Sequence, residues 1–82
     1  MSDLTEKDLT EGGLYRAKNP RKCANGEFND RVILWRSNTR VQYDSYAVAN
    51  GRKYPEIGID QFLKWAGHRI NEDGSPWEKP DA

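Results

Sequence analysis

One feature constrains this chain more than any other: two strand-like runs separated by a turn. Arg31-Val32-Ile33-Leu34-Trp35-Arg36-Ser37 is dominated by β-branched and aromatic residues, the composition of a strand. Arg40 to Tyr46 alternates Val41, Tyr43 and Ser45 with Arg40, Gln42 and Asp44, the period of a half-buried strand. Ser37-Asn38-Thr39 between them supplies turn residues, so the pair reads as a hairpin. With Asn38 and Thr39 as a two-residue loop, Ser37 faces Arg40 and Arg36 faces Val41. Leu34 then opposes Tyr43 and Val32 opposes Ser45, which puts Val32, Leu34, Arg36, Val41, Tyr43 and Ser45 on an interior face. Ile33, Trp35, Arg40, Gln42 and Asp44 share the other face, which is either covered by a helix or is a binding surface. A shift of one residue would exchange the two sets.

The rest of the chain supplies what a hairpin needs to become a domain. Gly12-Gly13 ends any N-terminal helix, and Leu14-Tyr15-Arg16-Ala17 follows as a short strand. Residues 18–29 have loop composition, with Phe28 as an anchor. Asn50-Gly51 marks a turn before Arg52 to Ile59, a strand that Pro55 confines to a sheet edge. Asp60 reads as the N-cap of a short helix over 61–66, stopped by Gly67, with His68 near its last carbonyls. These readings divide the chain into a flexible acidic segment at 1–11, a barrel domain at 12–70 and a flexible acidic tail at 71–82. The expected fold is mainly β: a small barrel of four to five antiparallel strands closed by a short C-terminal helix.

Size and composition exclude several functional classes. Eighty-two residues allow one domain and leave little material for a deep catalytic cleft beside a core. A single cysteine, Cys23, permits no internal disulfide, and one histidine provides no metal-ligand spacing. The loop Gly12-Gly13 lacks phosphate-binding spacing. Arg21-Lys22 beside Cys23 would favour a thiolate, but nothing in the sequence brings His68 to it as a base. The expectation is a non-enzymatic module with no cofactor and no metal. Val32 to Trp35 is the longest strongly apolar run, far below the ~20 residues of a membrane span. The start of the chain lacks a signal-peptide pattern. A cytoplasmic protein with no membrane partner is expected.

Charge suggests where a partner binds. The sequence carries 13 basic and 13 acidic residues, but they are not evenly spread. Acids outnumber bases in residues 1–13 and 54–82, whereas nine of the 13 basic residues fall in 14–53. Basic residues interleaved with aromatics are how small barrels hold single-stranded nucleic acid. The candidate binding surface is Arg16, Lys18, Arg21, Lys22, Trp35, Arg40, Gln42, Arg52 and Lys53. Against nucleic acid stand the scatter of these residues and an isoelectric point near 6.6. A protein partner is the leading expectation, with an adaptor or inhibitor role, and nucleic acid is the alternative. Trp77 is either a candidate anchor for a partner or a residue folded back on the domain. The chain is expected to be a monomer or a weak homodimer, paired through the edge strand at Tyr54-Pro55.

The order of these elements resembles small SH3-like barrels. It is also similar to small uncharacterised proteins of phages, prophages and their proteobacterial hosts. The likeness rests on Gly13-Leu14-Tyr15-Arg16, Asn29-Asp30-Arg31, Val41-Gln42-Tyr43-Asp44 and Phe62-Leu63-Lys64-Trp65-Ala66. It covers about residues 12 to 70. It implies a fold and a mobile-element context, and carries over no activity and no site residues.

Overall fold

The computed structural model describes residues 4–24, 26–46 and 53–78. Five antiparallel strands, β1 (Leu14–Ala17), β2 (Arg31–Arg36), β3 (Arg40–Ser45), β4 (Glu56–Gly58) and β5 (Ala66–Ile70), form one curled sheet. Its order is β4-β3-β2-β1-β5. One helix, α1 (Ile59–Trp65), joins β4 to β5 and packs on the inner face of the half-barrel. The mainly-β expectation therefore holds, with one difference in order: the helix precedes the last strand. No helix among the described residues is long and apolar enough to cross a membrane.

The central hairpin has the expected turn and a different interior. Ser37 N–H donates to the Arg40 carbonyl at 2.8 Å, and Arg36 pairs with Val41. Trp35 then pairs with Gln42, but Ile33, not Leu34, faces Tyr43. Leu34 is the extra residue of a β-bulge, which sets two residues of one strand against one of its neighbour and reverses the alternation beyond it. Ile33, Val41 and Tyr43 are buried, while Leu34 is 40% and Trp35 44% exposed. The expected interior positions of Val32 and Leu34 are thus corrected: Ile33 takes their place beneath α1, and Val32, paired with Asp44, lies on the outer face. The bulge has a physical motive. No non-glycine residue among those described has positive φ, so the Asn38-Thr39 turn lacks the hand that matches strand twist, and a bulge adds right-handed twist.

The helix begins at Ile59 with Gly58 as N-cap, not at Asp60. Asp60 instead sits in the first turn and Lys64 in the last, each at the helix end its charge suits. At the other end Ala66 is extended, its N–H donates to the Phe62 carbonyl, and the chain runs straight into β5. Gly67 is therefore no helix stop, and His68 lies on β5 opposite Arg16. The glycine is needed because β5 crosses β1 closely: a Cβ there would lie 3.1 Å from the Ala17 oxygen and from the Lys18 backbone. A bulge between Arg16 and Ala17 marks the same crossing.

Phe62 is the hub of the core. Its ring meets Tyr15 at 5.5 Å and Tyr43 at 6.0 Å edge-on and Trp65 at 5.4 Å tilted, between centroids, within the range of favourable aromatic packing. Tyr15 is buried with its hydroxyl satisfied, donating to the Asp8 carbonyl and accepting from Thr10 N–H at 3.1 Å. Gly13 is required beside it, since a Cβ would fall 2.5 Å from the Tyr15 hydroxyl. The packed body reaches back past residue 12: Leu9 is buried in the core, and Leu4 packs against it. Arg36 Nη1 fastens this segment by donating to the carbonyls of Glu6 and Leu9.

At the other end, Asn71 to Ser75 form a bonded turn and Pro76 bridges back to Ile70. Trp77 N–H donates to the Arg69 carbonyl at 3.2 Å, and the Arg69 guanidinium lies 4.2 Å from its ring centroid. Trp77 folds back on the domain.

Candidate functional site

The fate of the basic residues decides what surface this chain offers. Arg16 grips Asp30 with two parallel bonds, Nε–Oδ1 and Nη2–Oδ2, each 3.0 Å. This pairing holds the Arg16 pKa above its ordinary value. Arg31 points into the fold between Tyr43 and Trp65, its guanidinium 4.2 and 4.0 Å from their ring centroids. Burial lowers its pKa, because desolvation disfavours the charged form. Arg36 is tied to backbone carbonyls, as described above. Arg40 binds Glu56 through Nε at 2.7 Å and the Glu56 carbonyl through Nη2 at 3.1 Å. Four of the basic residues of the middle region therefore have partners within the protein, Arg40 with half of its side chain still exposed.

The remaining candidates are dispersed. Trp35, Arg40 and Gln42 share the outer face of β2 and β3, where Gln42 Nε2 donates to the Tyr54 carbonyl at 3.4 Å. Lys18, Arg21 and Lys22 are exposed along the connection from β1 to β2, and Lys53 is exposed ahead of β4. Arg52 lies outside the described residues. The β1–β2 connection has structure of its own: Asn29 N–H donates to the Arg21 carbonyl, Lys22 bridges Phe28, and Cys23 N–H donates to the Glu27 carbonyl. Phe28 is fixed there by cations on its ring, Arg16 at 4.3 Å and Lys22 at 5.7 Å.

What the sequence did not reveal is an open cleft of about 980 Å³ on the outer face. Its floor is one row of side chains crossing four strands, since Ile70 pairs with Leu14, Leu14 with Val32 and Val32 with Asp44. Directly opposed residues point the same way, so the row is continuous. Glu27, Phe28 and Asp30 from the β1–β2 connection form one wall. Glu72, Asp73 and Gly74 of the C-terminal turn form another, with Ser45 and Tyr46 at the end of β3. Among the described residues the lining holds one cation, Arg16, against Glu27, Asp30, Asp44, Glu72 and Asp73. Asp44 Oδ1 accepts the Ser45 N–H at 2.7 Å. Asp73 accepts both the amide and hydroxyl of Ser75, which holds its carboxyl below the usual range. Of the eight sequence-derived surface residues that are described, Arg16 alone lines this cleft. The other lining residues lie far apart in sequence and meet only through the strand order; the alternation of Leu14 and Arg16 with Tyr15 and Ala17 was the one local signal.

Neither Cys23 nor His68 lines the cleft. Among the described residues no group of three or more His, Cys, Asp or Glu side chains is placed to hold a metal ion. The outward edge of β4 is partly occupied. Register directs the Glu56 carbonyl and the Gly58 N–H away from β3, and these meet Arg40 Nη2 at 3.1 Å and Gln61 Oε1 at 3.4 Å.

No protein-family model matches the chain, and no curated protein and no solved structure matches it.

Proposed function

We propose that this chain is a non-catalytic protein-binding module, acting as an adaptor or inhibitor, and that the outer cleft is its working surface. The observation that carries this reading is the cleft itself: a floor of Ile70, Leu14 and Val32 that runs into Asp44, walled by charged side chains, on the sheet face opposite the one α1 covers. Concave sites of roughly 300–1,000 Å³ with an apolar base and a few polar groups are the usual places for ligands. The pairing of Arg16, Arg31, Arg36 and Arg40 with the protein's own carboxylates, rings and carbonyls also supports a protein over a polyanion. Those four residues would otherwise form much of a phosphate-binding track.

Nucleic acid remains the second reading, and the exposure of Lys18, Arg21 and Lys22 on one connection favours it. An NMR titration of labelled protein with mixed single-stranded and duplex oligonucleotides at low salt separates the two. The protein-binding reading expects no shifts at Leu14, Val32 and Asp44. Shifts at Lys18, Arg21 and Lys22 that vanish with salt would overturn it.

A further inference from the structure

We infer that the cleft takes an extended peptide bearing arginine side chains. This deepens the proposed function and rests on it. Charge complementarity supplies the first argument. Among the described residues, one arginine against five carboxylates gives the lining a formal net charge of −4 in a protein whose net charge is zero. The acids also come from three separate segments: Glu27 from the β1–β2 connection, Asp44 from β3, and Glu72 and Asp73 from the C-terminal turn. A ligand lying across the floor meets carboxylates on more than one side.

The second argument is a guanidinium already seated there. Arg16 is stacked on Phe28 at 4.3 Å and held bidentately by Asp30. That is how a protein recognises arginine: a planar fork on a carboxylate and a flat cation on an aromatic face. Its side chain is 20% exposed and that of Asp30 15%, so the pair is sheltered by the cleft. Beside it Asp44, partly buried, spends one oxygen on the Ser45 amide and makes no ion pair with the described residues. The apolar strip of Leu14 and Val32 between these acids suits the methylene stem of an arginine, which long cationic side chains lay along apolar surface. A small hydrated cation would make no use of that strip, and a polyamine, though it has methylene stems, lacks the planar fork that a carboxylate grips bidentately. A peptide with arginine at alternate positions places its guanidinium groups along one side, at the period of the sheet it lies on.

The test is an NMR titration of the full labelled chain at low salt with three probes: a decapeptide alternating arginine and alanine, its glutamate counterpart, and spermine. The arginine peptide is expected to shift the amides of Leu14, Val32, Asp44 and Tyr46, and the glutamate peptide to leave them unmoved. The double variant Asp44→Asn, Glu72→Gln should weaken the arginine peptide by roughly 2- to 30-fold, the span expected for two partly exposed ion pairs. Asn at position 44 retains an oxygen for the Ser45 amide, and an unchanged amide spectrum of the free variant shows that the fold is kept. Equal binding of the glutamate peptide at the cleft would overturn the cationic inference and leave the cleft as a binding surface. Spermine binding as tightly as the peptide would overturn the peptide. Shifts confined to Leu34 and Trp35 would overturn both the inference and the cleft.

Discussion

The two faces of this sheet are built from the same strands but by different rules. On the inner face Tyr15, Ile33, Val41 and Tyr43 pack with Phe62 in one core, and two polar groups that enter it are each held by more than one partner. The Tyr15 hydroxyl has two hydrogen bonds, and Arg31 has two close aromatic faces. On the outer face Leu14, Val32, Leu34 and Trp35 are only partly covered, Asp44 accepts one local amide and Asp30 is held by one arginine. The difference teaches where stability and binding reside. Close-packed interiors resist any change of volume, whereas a partly covered face can accept a ligand without repacking. The Leu34 bulge is the divider, because it decides which residues of β2 fall on which side.

The largest effect should come from the hub of the inner face. Phe62→Ala removes a ring that touches three other aromatics and should cost about 3–5 kcal/mol. For a domain of this size that is most of its total stability. Urea unfolding followed by near-UV circular dichroism should show a broad or absent transition. A variant with wild-type cooperativity would break the assignment of the core.

Arg31 sharpens the comparison, because it is a cation on the apolar side. Its contacts with Tyr43 and Trp65 should contribute about 1–2 kcal/mol at a site this desolvated. Arg31→Met keeps an unbranched stem and removes the charge. If the two rings hold the guanidinium through cation–π attraction, Arg31→Met should lose about that much in chemical denaturation. An unchanged midpoint would mean that the stem alone fills the space.

The sequence made the inner face legible where alternation was clean. Tyr15 and Ala17 in β1, Val41 and Tyr43 in β3, and the aromatic stripe of α1 are buried or packed on the core as their spacing implies. It failed where local chemistry was silent. Ile33-Leu34-Trp35 is apolar throughout, so no polar residue at the bulge betrays it. Ala66-Gly67-His68-Arg69-Ile70 has weak strand propensity; it becomes β5 because Ala66 and Ile70 must be buried and Gly67 lets the strands approach. The basic middle read as a surface because sequence shows charge but not its partners: Asp30 is 14 residues from Arg16, and Glu56 is 16 from Arg40. The cleft was invisible for the same reason, since its acids converge only when β3, the β1–β2 connection and the C-terminal turn come together.

A smaller effect tests the divider itself. Leu34→Ser alters a residue that makes no cross-strand pair and stands outside the core, and should change stability by less than about 0.5 kcal/mol. Ile33→Ser, one residue away, should cost several times more, since it places a hydroxyl among buried apolar groups. The unfolding midpoints of the two variants give the answer directly. Reversal of their order would restore the unbulged register and exchange the two faces.

The smallest effect concerns one wall of the outer face and is read by pH. In the folded chain the Asp73 carboxylate accepts the Ser75 hydroxyl at 2.6 Å and the Ser75 amide at 2.9 Å, which holds its pKa below the ordinary 3.8. A depressed carboxyl pKa means that these bonds are fully formed above the ordinary value and are lost as pH falls through the folded one. The Ser75 amide and the Asp73 carboxyl, followed by NMR during acid titration, should move together with a midpoint below 3.8. Asp73→Asn should abolish that titration at Ser75, and the core amides of Val41 and Phe62 should report nothing of it, because the bonds are local to the turn. A midpoint at or above the ordinary value would show that Ser75 does not hold the carboxylate. Core amides that moved with it would mean that the turn and the inner face are energetically one unit, and the contrast between the two faces would fail there.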